Sequence, residues 1–176
     1  VNDAWTQKAS FIGGGREAST SIVVDNIAYI GLGSCGSPTC YNQDWYKYVP
    51  SSNTWSKLAS WPGGKVSGAQ AFAIGNYIYV GVGLYDTYIN DNSFYRYNTT
   101  TNTWAAIPDL PGPARRTSGT FTYKNEGYVG CGTYSSIPTT SQLNDFYKYS
   151  ALTNNWTKVS VNDEFASCTN IRFFNS

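Results

Sequence analysis

Four landmarks recur along this chain in fixed phase, and they constrain its fold more than any other feature. Tryptophan stands at Trp5, Trp55, Trp104 and Trp156, at intervals of 50, 49 and 52 residues. A Gly-x-Gly pair recurs at Gly31/Gly33, Gly81/Gly83 and Gly130/Gly132, and a Tyr-x-Tyr pair at Tyr46/Tyr48, Tyr95/Tyr97 and Tyr147/Tyr149. Each of the first three tryptophans precedes its next glycine pair by 26 residues, and each first tyrosine precedes its next tryptophan by 9. Only the Gly-to-Tyr interval changes, at 15, 14 and 17 residues. Length variation therefore falls in one connection of each repeat. A sustained period near 50 residues marks a stack of similar supersecondary units.

Each unit reads as four short strands. The first is apolar, as in Ile22-Val23-Val24 or Ala71-Phe72-Ala73-Ile74. A hairpin signal follows, Asp25-Asn26, Gly75-Asn76 or Lys124-Asn125. The second strand carries Tyr29-Ile30-Gly31, Tyr79-Val80-Gly81 or Tyr128-Val129-Gly130, where glycine lets a neighbouring backbone come close. The third carries the tyrosine pair, and a polar turn leads to the tryptophan strand. No helical periodicity interrupts the pattern. Fifteen Tyr, 6 Trp and only 13% charged residues suit strands and do not suit a disordered chain.

Composition also removes functions. The chain has no His, which excludes a Ser-His-Asp or Cys-His nucleophile system and any His-containing metal site within it. A net charge of +1 lacks the basic face that nucleic acid requires, and Arg115-Arg116 alone is too small a patch. No apolar run approaches the ~20 residues of a membrane helix, so insertion into a bilayer is not expected. Gly13-Gly14-Gly15 is followed by a strand and no Lys-Ser/Thr, so it is not a phosphate loop. Asn90-Asp91-Asn92 lacks the glycine and terminal glutamate of a calcium loop. Cys-x-x-Cys pairs are absent, so no cofactor or metal is expected. Val1 opens the chain without a leader, and the missing targeting signal is uninformative.

The period and the residues together resemble the kelch repeat. Tyr79-Val80-Gly81-Val82-Gly83, the stretch from Asp91 to Tyr97, Thr101-Asn102-Thr103-Trp104 and Leu110-Pro111 look like one kelch blade. The resemblance runs from Trp5 to Trp156. It is closest to bacterial secreted or surface kelch-type, galactose oxidase-like proteins, whose blade junction Trp5-Thr6-Gln7-Lys8-Ala9 through Gly13-Gly14-Gly15-Arg16 resembles. Two departures stand out: Gly-x-Gly replaces the adjacent Gly-Gly of many kelch proteins, and Val66 replaces the arginine seen at Arg16 and Arg115. The resemblance implies an all-β β-propeller segment. Residues 1–13 would be the outermost strand of a preceding blade and a junction. Residues 14–63, 64–112 and 113–160 would be three complete four-stranded blades. Residues 161–176 would be a tail or a partial blade, since Phe173 follows Trp156 by the same 17 residues that separate Trp55 from Phe72. Closed propellers have ~4–8 blades. The expected partners therefore include further blades, from the same parent chain or from a partner or identical chain.

Connectivity sets the candidate site. In an antiparallel four-stranded unit the second-to-third and fourth-to-first connections lie at one end. The variable second-to-third connections hold Tyr41, Tyr85, Asp86, Tyr88, Tyr134 and Gln142. The companion connections hold Trp61, Lys65, Arg115 and Arg116. Loops on a rigid scaffold carry binding, and Tyr and Trp beside Arg suit a protein or glycan ligand. The once-per-repeat Trp and Tyr residues read as packing. The resemblance places Arg16 and Arg115 near a central channel, with a structural salt bridge as the equal alternative. Four cysteines allow three pairings. Cys35–Cys40 and Cys131–Cys168 are favoured, and free buried thiols remain open. Paired cysteines fit an extracellular or cell-surface location. Asn98-Thr99-Thr100 and Asn155-Trp156-Thr157 are glycosylation sequons at third-to-fourth turns.

The function expected from these features is non-catalytic binding or scaffolding by a secreted or surface protein, through one loop-bearing face. Two alternatives stay open. One is part of a sugar-modifying or oxidase-type kelch enzyme whose catalytic residues lie outside this chain. The other is a structural subunit of a surface assembly.

Overall fold

The structure is a computed structural model that describes residues 4–36, 40–85, 89–136 and 139–159. It is all-β, and the described residues form fifteen strands and no helix. The first sheet is the antiparallel meander β1 (Thr20–Val24), β2 (Ile27–Gly31), β3 (Trp45–Val49) and β4 (Thr54–Lys57). The second contains β5 (Val66–Ser67), β6 (Gln70–Ile74), β7 (Tyr77–Tyr85), β8 (Asn90–Asn98) and β9 (Thr103–Ile107). There β7 pairs with β6 along its first half and with the short β5 at its far end. The third is β10 (Gly119–Tyr123), β11 (Glu126–Gly130), β14 (Phe146–Ser150) and β15 (Asn155–Val159). Between β11 and β14 stands a separate hairpin, β12 (Thr133–Ser136) with β13 (Thr139–Gln142).

Local chemistry accounts for the hairpins. Asp25 and Asn26 both adopt positive φ (50 and 59°), as do Lys124 and Asn125 (48 and 62°), the geometry of a type I′ turn. At Gly75-Asn76 only the glycine is left-handed, as type II′ requires. The first glycine of each Gly-x-Gly pair sits where β2, β7 or β11 meets its third strand. A Cβ on Gly31 would strike the Asp44 carbonyl, one on Gly81 the Ser93 carbonyl, and one on Gly130 the Phe146 ring. The middle residue then turns left-handed in all three units: Leu32 at 58°, Val82 at 54° and Cys131 at 57°. A β-branched valine in that region is strained and must be held by its surroundings. These residues follow the ends of β2 and β11, and in β7 Val82 lies at the register shift between Gly81 and Gly83.

The sheets pack face to face, with β6 between β1 and β10. Ile22, Tyr29, Trp45 and Leu32 of the first sheet meet Ala71, Ile78, Val80 and Tyr97 of the second. Phe72, Tyr79, Phe94 and Ile107 of the second meet Val129, Tyr147, Tyr149 and Trp156 of the third. Phe72 and Tyr79 stack with centroids 4.9 Å apart, and Trp156 stands edge-on to Phe72 at 6.1 Å. Gly127 makes room for Phe72, since a Cβ there would overlap the ring. Fully burying a side chain such as Phe72 stabilises by about 1.5–3 kcal/mol.

The repeated tryptophan, tyrosine and asparagine form an inter-sheet latch. Trp104 Nε1 donates to the Ala59 carbonyl (2.9 Å), and the Ala59 amide donates to Asn102 Oδ1 (2.9 Å). Tyr97 Oη donates to the same Asn102 oxygen (2.9 Å). Trp55, Ala9, Asn53 and Tyr48 repeat the set at 2.7–3.0 Å. Trp156 and Tyr149 repeat it on Pro108 and Asn154 at 2.8 and 2.7 Å, without the backbone donor that proline lacks.

One expectation is corrected. Residues 4–10 form no strand, and Trp5 is fully exposed at 104%. The other tryptophans pair with a tyrosine strand that precedes them, as Trp55 does with Tyr48. The expected tail or partial blade at residues 161–176 lies outside the described residues.

Candidate functional site

At one end of the stack each fourth-to-first connection is stitched to the preceding sheet's second-to-third connection. Trp61 N donates to Gln43 O (2.8 Å) and Val66 N to Asn42 O (3.1 Å), while Gly33 N donates back to Val66 O (2.8 Å). The next boundary repeats this with Leu110 N to Asn92 O (2.8 Å), Arg115 N to Asp91 O (3.1 Å) and Gly83 N to Arg115 O (2.7 Å).

Two residues further along, each chain turns left-handed at Ala18 (φ 48°), Gly68 (68°) and Thr117 (55°). Gly68 N donates to Ala18 O (3.0 Å) and Thr117 N to Gly68 O (3.3 Å), so these positions form one backbone chain across all three sheets. Beside it lies an open hollow of about 310 Å³. The first sheet's side gives Ala18. The second gives Ser67, Gly68 and Leu84. The third gives Arg116, Thr117 and Thr133.

Beneath the loops the arginines are committed to the framework. Arg115 is wholly buried; its Nη1 and Nη2 donate to the two carboxylate oxygens of Asp145 at 2.6 and 2.9 Å, and Nη1 also donates to Cys131 O at 3.1 Å. Arg16 does the same with Asp44 Oδ1 (2.6 Å) and Leu32 O (3.1 Å), and it stacks over Phe11. Burial alone would raise the carboxyls of Asp44 and Asp145, but hydrogen bonds and charge from the arginines outweigh it and hold both below the usual range. The second sheet lacks both partners, with Val66 and Ser93 in their places. There Tyr85 Oη donates to Asp91 Oδ2 (2.8 Å), and Ser93 Oγ donates to the same oxygen. Burial first, then the neighbouring carboxylate, pushes the Tyr85 phenol up.

These facts correct three expected positions. Trp61 is 1% exposed and packs edge-on to Tyr95 at 5.6 Å, so it braces the loop and offers no ligand surface. Its column holds Phe11 and Leu110 in the other units, an apolar series that already reads as core. Arg115 is equally unavailable, because leaving Asp145 would strand a largely covered carboxylate. Neither Arg115 nor Arg16, at 0% and 3% side-chain exposure, opens onto a channel.

The remaining expected residues divide plainly. Arg116 lines the hollow and Tyr85 lies half-buried behind Gly64. Lys65, Tyr134 and Gln142 are exposed at the same end, and Tyr41 is half-buried in the first sheet's loop. Asp86 and Tyr88 lie outside the described residues. Cys35 and Cys40 form a disulfide across that loop, with Cα atoms 5.4 Å apart. Cys131 is also disulfide-bonded, and Cys168, its expected partner, lies outside the described residues. Asn98 Oδ1 accepts from the amides of Thr100 (2.9 Å) and Thr101 (3.2 Å), while Asn155 is exposed; both lie at the opposite end of the sheets from the hollow.

The expected list missed Ser67, Leu84, Thr117 and Thr133. A usable signal existed. Twelve residues after Trp5, Trp55 and Trp104 the repeat places Glu17, Ser67 and Arg116, directly after a position tied into the framework. The column changes from an acid to a hydroxyl to a base between units.

No family model and no curated protein matches the chain. Among solved structures, one named "Structure of YjhT" matches with a TM-score of 0.76 at 18% identity, over 93% of this chain. The chain spans 58% of that structure's length, and at this identity the likeness bears on the fold alone.

Proposed function

We propose that the chain comprises three consecutive blades of a kelch-type β-propeller, and that it is a non-catalytic binding module of a secreted or cell-surface protein. Its ligand is a protein or glycan taken at the loop end. Three face-packed four-stranded meanders, with their first strands side by side, support the propeller reading. The Cys35–Cys40 disulfide supports an oxidising compartment, and no helix among the described residues is long and apolar enough to cross a membrane.

The observation that carries the binding reading is the hollow, where an unvarying backbone framework holds a varied set of side chains. Ser67, Thr133 and Thr117 bring hydroxyls to its lining, the last donating to the Arg116 carbonyl (2.7 Å), and Arg116 lines it as well. Hydroxyls and a planar donor fork match a hydroxyl-rich sugar or a polar peptide. The nearby carboxylates of Asp145 and Asp91 are engaged with Arg115 and with Tyr85 and Ser93, which leaves them as framework.

Glycan and peptide arrays test the reading. Binding is expected on at least one array, with roughly tenfold or greater weakening by Arg116→Ala or Thr133→Ala, as for loss of one polar contact of about 1.4 kcal/mol. Silence on both arrays, with oxidase activity in the full-length parent, would sink it.

A further inference from the structure

The second-to-third connections of the three sheets share one cross-strand pair and then differ. Ser34↔Tyr41, Leu84↔Asn90 and Thr133↔Gln142 stand at the same position, 29 residues after Trp5, Trp55 and Trp104. One rung further out the third sheet has Tyr134↔Ser141, followed by two more pairs of the β12–β13 hairpin. The second has Tyr85 N donating to Ile89 O (3.0 Å), with the Tyr85 phenol bonded to Asp91. The first has Cys35 N donating to Cys40 O (2.9 Å), and the Cys35–Cys40 disulfide spans that rung. Of these three rungs, only this one is closed by a bond that a thiol can open.

The two chain segments that the disulfide joins are stitched to different walls of the hollow. On one side Ser34 exchanges both backbone hydrogen bonds with Glu17 (2.9 Å each), and its Oγ donates to Glu17 Oε1 (3.1 Å). Glu17 precedes Ala18, the first sheet's part of the lining. On the other side Asn42 O receives the Val66 amide (3.1 Å), and Val66 precedes Ser67 on the second sheet's wall. The third wall is held separately, by the exchange between Arg116 and Thr133 (2.9 and 3.0 Å) and by the β12–β13 ladder. Exposure also separates the cysteines. Cys35 is exposed and Cys40 half-buried, whereas Cys131 is 1% exposed. Accessible disulfides are the ones that exchange readily.

We propose that Cys35–Cys40 is a thiol–disulfide exchange site, a clasp on the Ala18 and Ser67 walls whose reagent is a dithiol. One thiolate of the dithiol attacks Cys35 Sγ, forms a mixed disulfide and expels Cys40 as a thiolate, which takes up a proton. The reagent's second thiolate then attacks its own sulfur in the mixed disulfide and expels Cys35, which is protonated in turn. Two electrons and two protons pass to the protein, and the reagent leaves as a disulfide. With the bond open, one hydrogen-bonded rung remains beyond Ser34↔Tyr41, against three beyond Thr133↔Gln142 in the third sheet. The first connection therefore loosens while the third stays firm. The closed rung sets the two Cα atoms 5.4 Å apart, within the range a disulfide needs, so a disulfide reagent closes the clasp again. That loosened walls hold a ligand less firmly rests on the proposed binding at the hollow.

The test treats the folded chain with dithiothreitol, without denaturant, and follows alkylation by peptide mapping and amide exchange by NMR. Cys35 and Cys40 should alkylate, and Cys131 should not. The amides of Ser34, Asn42 and Val66 should exchange at least about tenfold faster, with those of Arg116 and Thr133 unchanged. Oxidised glutathione should restore the slow pattern. Resistance of Cys35 and Cys40 to alkylation, or equal exchange before and after, would overturn the proposal. So would equal acceleration at Arg116 and Thr133, which would mean general loosening. If dithiothreitol also opens the Cys131 disulfide, Cys35→Ser with Cys40→Ser decides in its absence. That variant should show the fast pattern at Ser34, Asn42 and Val66; exchange equal to that of the unaltered chain would reject the clasp. Array ligands give a separate readout. Their binding should weaken at least about fivefold in the opened chain. Unchanged binding would reject control of the site and leave the binding reading intact. Silent arrays would reject the binding reading, while the exchange data still decide the clasp.

Discussion

At the scale of single residues, the arginine and aspartate of the framework are kept together or replaced together. The first and third sheets place Arg16 with Asp44 and Arg115 with Asp145, and the second replaces both partners together with Val66 and Ser93. Removing one partner of a buried pair strands the other, at about 3–5 kcal/mol, whereas removing both costs far less. Arg115→Val should therefore lower the urea-unfolding free energy by roughly that amount. Arg115→Val with Asp145→Ser, which copies the second sheet, should recover a large part of it. Equal losses would mean that the pair's geometry, and not its charge balance, matters. Acid adds a second check. Both carboxyls are held below their unfolded value of about 3.9. Their contribution is thus complete above that pH and is lost as pH falls through the folded pKa. Tm followed from pH 6 downward should fall more steeply near and below about pH 4 in the unaltered chain than in the double variant. The sequence showed these arginines as a repeating column, but their partners lie 28 and 30 residues away across the variable connection, so the pairing was not legible.

Strands and turns were the most legible level. Alternating apolar residues and paired turn residues placed β1, β2, β10 and β11 because those signals are local. The inserted hairpin β12–β13 was not foreseen; its Thr, Ser and Tyr residues fall in the variable connection and carry no apolar period. The latch between elements was half legible. Tyr and Trp were read as packing, but their hydrogen bonds to Asn and a carbonyl need two sheets in register. Asn102 accepts from both Tyr97 and the Ala59 amide, while Asn154 accepts from Tyr149 with Pro108 opposite and no amide to receive. Both asparagines are left-handed, at 55 and 50°, so the backbone cost of replacing them is shared. Asn102→Ala should cost about 1 kcal/mol more than Asn154→Ala in chemical denaturation, the value of one net hydrogen bond.

Across the molecule, the sheets form a short one-dimensional array in which each touches only its neighbours. The second sheet alone is covered on both faces by described sheets. Amides of β6 and of β7 within the four-strand meander should exchange most slowly by NMR, and those of β1 and β2 distinctly faster. Uniform protection would instead indicate one cooperative block. Unit number was readable because a period is a property of the chain. The hollow was not, because its lining comes from three columns that meet only when sheets stack.

The backbone chain through Ala18, Gly68 and Thr117 has a direction. Every amide in it donates toward the preceding sheet, so Ala18 ends it with an N–H and Thr117 ends it with a carbonyl. The stack is a polar object, with a donor terminus and an acceptor terminus. Two donor termini cannot satisfy each other, so growth through these ends cannot build a symmetric head-to-head pair. It must run head to tail, and such contacts either close into a ring or continue as a filament.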